Sequence, residues 1–259
     1  RQINRGDCLI RGIFTAAAGM LAESLRADVT ANNLANVNTA GFKKDFAVLK
    51  DYASRPIKRI NDGQEQPEIG SMGAGSWLDA TATRHTAGII HPTGNTLDFA
   101  LEGKGYFVVE TPAGIRYTRN GTFTRSGTGE LVTQDGFRVL GQNGPINLDP
   151  TGQAGKVTVA EDARIFLDNV ENNAFQLVEF ADENRLQKEG ATLFRPPDGV
   201  EGQAATAKVR QGFIELSNVN VISEMVSMIA GYRAYETNSK VVQTHDTLLD
   251  KAVNQVASV

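Results

Sequence analysis

The sequence predicts an α+β protein in which long N- and C-terminal helices bracket an all-β centre. Three observations carry this: an apolar stripe of helical period near the C-terminus, a shorter stripe at the N-terminus, and between them short alternating runs separated by glycine-containing turns.

At the C-terminal end, Val221, Met225, Met228, Tyr232, Tyr235, Ser239, Val242, Asp246, Leu249, Val253 and Val256 step by four and three in alternation. Nine of these eleven are apolar, which predicts a seam with a period of about 3.5 residues along a helix of roughly 50 Å. Asn220 suits the N-cap, and Glu224 falls in the positive first turn. Beside the seam, Ile222, Val226 and Ile229 widen the apolar face, and Arg233, Glu236 and Lys240 continue that flank as alternating charges. A helix paired with one partner needs only the seam, so the extra width predicts contacts with additional helices, or a face that rests on the chain's own β-domain.

At the N-terminal end, residues 13–37 read as a helix rich in alanine, with Phe14, Ala17, Ala18, Leu21 and Leu25 as its stripe. The following run holds Asn32, Asn33, Asn36 and Asn38 and closes on Gly41, a residue suited to positive φ. A frayed helix end with a turn explains the asparagines simply; an amide surface that hydrogen-bonds neighbouring chains explains their number.

From Lys43 to about Thr96 the pattern dissolves into turn-formers around Pro56, Pro67 and Pro92 and a Gly70, Gly73, Gly75 cluster, which predicts an extended linker. The glycine cluster lacks the following Lys-Ser or Lys-Thr of a phosphate loop. Between Leu97 and Leu148 alternating runs recur at Tyr106–Glu110, Ile115–Thr118, Thr122–Arg125, Glu130–Thr133 and Phe137–Leu140. Their separators, including Asn120-Gly121 and Asp135-Gly136, favour hairpin turns. Further strands are expected at Lys156–Ala160, Arg164–Leu167, Phe175–Phe180 and Lys208–Glu215, for roughly eight to ten in all.

The chain has 259 residues, 41% of them hydrophobic, enough for a substantial core. Its formal charge of −4 and scattered Lys and Arg give no basic groove for nucleic acid. No apolar run approaches the ~18 residues of a membrane span, and no h-region with a cleavage site is visible at the N-terminus. The single cysteine, Cys8, excludes an internal disulfide framework.

Chemistry finds little support. His85, His91 and His245 are scattered without metal-ligand spacing, and no serine lies in a nucleophile elbow. His245 and Asp246 are helical neighbours that point about 100° apart, so they make a poor dyad. Asn120-Gly121-Thr122 fits a glycan acceptor but is better explained as a turn. The aromatic residues Tyr106, Phe107, Tyr117 and Phe123 leave room for a carbohydrate-binding or hydrolytic β-domain, although alternating strand aromatics are usually core. No catalytic residue, metal site or cofactor is expected.

Three segments resemble one family, the rod proteins of the bacterial flagellar basal body. Ala31-Asn32-Asn33-Leu34-Ala35-Asn36-Val37-Asn38-Thr39-Ala40-Gly41-Phe42-Lys43 is similar to its N-terminal signature. Leu101-Glu102-Gly103-Lys104-Gly105-Tyr106-Phe107, with Tyr117–Gly121 and Leu131–Gly136, resembles its central β-domain. Gly212–Glu215, Ser217–Val221 and Arg233–Glu236 resemble its C-terminal signature. Within the family, Val139–Ile146 resembles the proximal-rod type, whereas the asparagine-rich signature and Asn238-Ser239-Lys240 resemble the distal-rod type as well; the balance leans to the proximal.

The resemblance implies four parts: residues 9–42 as the N-terminal helix of an inner rod domain, 43–96 as a linker, 97–216 as the β-domain and 217–259 as the C-terminal helix. It implies a coiled-coil-like inner tube of paired terminal helices, self-assembly, torque transmission and no catalysis. Its implied partners are other copies of the chain, other rod and hook proteins and the flagellar export apparatus. Export without a cleaved signal and a place in the periplasm-spanning rod follow, with no membrane insertion and no nucleic acid. Leu21, Leu25, Asn32, Asn33, Asn36, Asn38, Val221, Met225, Met228, Tyr232, Tyr235, Val242, Leu249 and Val253 are then the expected assembly interface. Family members begin near the equivalent of Leu9, so Arg1–Cys8 carry no functional expectation.

Overall fold

A computed structural model of the chain describes residues 5–51, 55–59, 68–73, 75–149 and 155–256. It is α+β and divides into two compact units, one of residues 1–34, 45–82 and 221–259, the other of residues 35–44 and 83–220. Residues 1–4 of the segment without expectation lie outside the described residues; α1 begins at Arg5.

The first unit holds α1 (Arg5–Ala35) and α2 (Val221–Val256). α2 begins directly after Asn220 with Glu224 in its first turn, as its polar start requires. The unit also carries strands where a linker was expected. Asp45–Asp51 pairs with Ser76–Thr83, and Arg55–Lys58 pairs antiparallel with Glu68–Met72, with Ile57 opposite Gly70. The described residues of these ribbons are exposed or half-exposed, so neither face demands an apolar alternation that the sequence could have displayed.

The second unit is built on a ten-stranded antiparallel sheet. Its central strand, Tyr106–Thr111, pairs with Gly114–Thr118 on one side and Arg138–Gly141 on the other. Four consecutive residues of that strand, Tyr106 to Val109, are buried. Phe107 and Val109 enter a large core with Phe99, Phe123, Ile146, Ile165 and Phe175, while Tyr106 and Val108 enter a smaller one with Phe180, Leu186 and Phe194. The strand is therefore covered on both faces, and its apolar run follows from that. Phe107 meets Phe123 and Phe175 edge-on, with ring centroids 5.2 and 5.3 Å away, the geometry that aromatic quadrupoles favour.

The strand expected over Lys208–Glu215 is two strands. Gly212 adopts φ +79°, so Lys208–Gln211 pairs with Phe99–Glu102 and Phe213–Glu215 pairs with Ile90–Pro92. Strands at Val170–Ala174, Gln187–Glu189, Leu193–Arg195 and Gln203–Ala204 were not expected; they are short, and their alternation is broken by polar residues.

Candidate assembly interface

α1 and α2 pair antiparallel, and glycines mark where they meet. A Cβ on Gly12 would stand 2.6 Å from His245 Nε2, one on Gly19 would stand 2.9 Å from Asn238 Nδ2, and one on Gly231 would stand 3.3 Å from Glu23 Oε2. Seven residues forward along α1, from Gly12 to Gly19, answer seven back along α2, from His245 to Asn238. A helix-interior glycine costs about 1 kcal/mol relative to alanine, and here the missing side chain makes room for a polar one.

The seam differs from the expected one in one of its two rows. In the row 221/228/235/242/249, Val221, Met228, Val242 and Leu249 are half-buried and Tyr235 is exposed. The other row is shifted by one residue over most of its length: Glu224 and Gly231 are buried and Asn238 and His245 are half-buried, while Met225, Tyr232 and Asp246 are exposed and Ser239 is half-buried beside Asn238. The small residues of α1 explain the shift. Ala16 and Ala22 are buried, Gly12 and Gly19 are recessed, and polar side chains fill the narrow gap.

Apolar residues are correspondingly displaced outward. Met225 is 48%, Ile229 54%, Tyr232 59%, Val226 61%, Val253 65% and Ile222 75% exposed, with Tyr235 less so. On α1 the expected stripe behaves alike: Phe14 and Leu21 are exposed and Leu25 is half-buried.

The asparagines part company. Asn33 is buried; its Oδ1 accepts from the Asp45 amide at 2.9 Å, and its Nδ2 donates to the Asp45 carbonyl at 2.7 Å and to Glu224 Oε2 at 3.3 Å. Its amide is spent within the chain, so the structure removes Asn33 from the amides offered to neighbours. Asn36 Oδ1 accepts from the Thr39 hydroxyl in the turn, and Asn32 and Asn38 are exposed.

In the second unit the last residues of the asparagine-rich run are gripped. Gly41 has φ +68°, and a side chain there would strike the Asn120 backbone. Its amide donates to the Glu215 carbonyl at 2.7 Å. Phe42 lies under Lys188, whose Nζ is 3.6 Å from the ring centroid and donates to the Lys43 carbonyl at 2.7 Å. Lys43 itself is buried against Glu215, with Nζ–Oε1 2.5 Å and a second bond to the Thr86 carbonyl at 2.9 Å. Burial pulls the Lys43 pKa below its ordinary value, and the Glu215 carboxylate opposes that shift. Lys43, Arg119 and Glu215 escaped sequence reasoning because 172 residues separate the first from the last. Gly12 and Gly19 did leave a signal, two helix-interior glycines seven residues apart.

Tyr106, Phe107 and Phe123, which left room for a carbohydrate site, are all core residues. Among the described residues no group of three or more His, Cys, Asp or Glu could hold a metal ion, and no helix is long and apolar enough to cross a membrane.

Paired terminal helices that expose apolar residues, with a β-rich segment between them in the chain, define an α+β protein of the helix-flanked type. Three family models match it: "Flagella basal body rod protein" at residues 13–43, "Flagellar hook protein FlgE/F/G D1 domain" at 100–166 and "Flagellar basal body rod FlgEFG protein C-terminal" at 210–256. The basal-body rod protein FlgG of Bacillus subtilis is 33% identical over 95% of this chain and 99% of its own length. For FlgG of Caulobacter vibrioides the values are 34%, 96% and 100%, and for FlgF of the same organism 33%, 90% and 92%. The chain belongs to the flagellar basal-body rod protein family. Identity to FlgG and FlgF relatives is about equal, so it does not separate the proximal from the distal type.

Proposed function

We propose that this protein is a structural, non-enzymatic subunit of the flagellar basal-body rod, which self-assembles through the outer faces of α1 and α2 into a torque-transmitting tube. The displaced apolar row carries the reading. Ile222, Met225, Val226, Ile229 and Tyr232 stand outside the intramolecular seam, together with Phe14 and Leu21, and so much exposed apolar surface suits packing against other subunits. A coiled-coil-like inner tube forms when neighbouring helix pairs cover these rows. Leu25, Asn32, Asn36, Asn38, Tyr235 and Val253 add to the interface, and Val221, Met228, Val242 and Leu249 support it from the seam.

The partners are further copies of the chain and other rod and hook proteins. The flagellar export apparatus delivers the chain without signal cleavage to the periplasm-spanning rod. Basal bodies purified from a strain lacking the gene should show no complete rod in negative stain; intact rods would overturn the reading. A hook-type position in the same axial structure is the second reading, supported by the hook-protein description of the model matching residues 100–166. Labelled subunits found in the hook and absent from the rod would decide for it.

A further inference from the structure

We propose that Lys43, Arg119 and Glu215 form a completion lock, a buried ionic cluster that lets the second unit close only once the Glu215 carboxylate is in place. The inference rests on that unit alone and does not depend on the rod reading.

Lys43 and Glu215 are each 1% exposed at the side chain and Arg119 4%. The single carboxylate serves both cations: Oε1 accepts from Lys43 Nζ at 2.5 Å and Oε2 from Arg119 Nη1 at 3.5 Å. Oε1 also accepts from the Gly88 amide at 2.7 Å, and the Glu215 carbonyl accepts from the Gly41 amide at the same distance. One residue thus ties together segments around 41–43, 86–88 and 119. Each cation has one further acceptor, the Thr86 carbonyl for Lys43 and the Gly103 carbonyl for Arg119, and neither neutralises charge.

Two cations sharing one counter-ion make closure conditional. With Glu215 present, the cluster carries one net positive charge, eased by the Tyr106 ring 5.3 Å from the Arg119 guanidinium carbon. Without it, an ammonium and a guanidinium would be taken from water into one another's field with only the further charge of Glu183 to oppose them, which strongly disfavours the closed arrangement. Glu215 sits in the last strand before α2. A chain that has not yet delivered this strand therefore cannot seat Gly41–Lys43, however complete the rest of the sheet. The lock couples docking of the N-terminal signature to arrival of the C-terminal one.

The test uses the full chain and amide hydrogen exchange. In Glu215→Gln, which keeps an acceptor for Gly88 but removes the charge, exchange at Gly41 and Gly88 should rise by roughly a hundredfold or more, while Phe107 and Val109 in the large core change little. Lys43→Met combined with Glu215→Gln removes one of the stranded cations, and protection at Gly41 should return to within about tenfold of the parent. Unaltered protection in Glu215→Gln would overturn the proposal. If that variant instead fails to fold, the double variant decides: a folded, protected double variant supports the lock, and an equally unfolded one overturns it.

Discussion

Gly12 and His245 occupy one place in the helix pair: a side chain at the first would stand 2.6 Å from the Nε2 of the second. With Gly19 and Asn238 meeting at 2.9 Å one heptad on, the register of α1 against α2 is fixed by two glycine pockets that each admit one polar residue.

Ala16 and Val242 lie between those two contacts, the first buried and the second half-buried. Cysteines at these positions, with Cys8→Ser, should be joined within one chain by a short thiol-reactive cross-linker in dilute solution. Gly19→Leu must expel Asn238 and should abolish that product. Cysteines at Leu25 and Leu249 are offset by about 25 Å along the same pair, so they should join only between chains and only in assembled rods. An intrachain Leu25–Leu249 product would show that the register is wrong.

Tyr232→Asp tests the outer row. The residue is 59% exposed, so the isolated protein should keep its stability to within about 0.5 kcal/mol. On assembly a carboxylate would be forced into an apolar contact, and motility in soft agar should be lost. A variant that swims normally would remove Tyr232 from the interface.

The helices were legible because their stripes repeat over many turns. Phase was less so. Periodicity reports spacing, and the rows 225/232 and 224/231 have equal spacing; the choice between them is made by Gly12 and Gly19 on a distant helix, which favour the row carrying Asn238 and His245. In the β-unit, the Tyr106–Thr111 strand was evident from its apolar run, while the break at Gly212 depends on two separate partners, Phe99–Glu102 and Ile90–Pro92, that a local pattern cannot show. The ion cluster was invisible for the same reason, since charged residues read as surface until their partner is known.

Asn33→Asp should be costly although it changes one atom. The amide donates to the Asp45 carbonyl and to Glu224, and an aspartate would turn both donations into contacts between acceptors, one of them a buried carboxylate. We expect a loss of about 3 kcal/mol at neutral pH, read from urea unfolding. The facing carboxylate raises the pKa of the new group, so the cost should shrink as the solution is acidified. A loss below about 0.5 kcal/mol would mean that the Asn33 contacts contribute nothing net.

Tyr106 should give the protein an alkaline limit. Its pKa is raised, first by burial and then by the negative charge of Glu183, and its hydroxyl shares a 2.9 Å hydrogen bond with His85 Nδ1. The folded chain therefore keeps the phenolic proton at a pH where the unfolded chain, with an ordinary value of about 10, has released it. The unfolded state then binds fewer protons, so stability is full below about pH 10 and falls above it, by about 1.4 kcal/mol at pH 11 from this residue. Lys43 works in the opposite sense: its pKa is lowered in the fold, so its contribution rises with pH as its own proton leaves. Comparison with Tyr106→Phe separates the two. That variant should be weaker than the parent by about 1 kcal/mol at pH 9 for want of the hydrogen bond, and should lose less stability than the parent between pH 9 and 11. Urea midpoints that fall in parallel for both proteins over that range would show that the Tyr106 proton has no part in the alkaline loss.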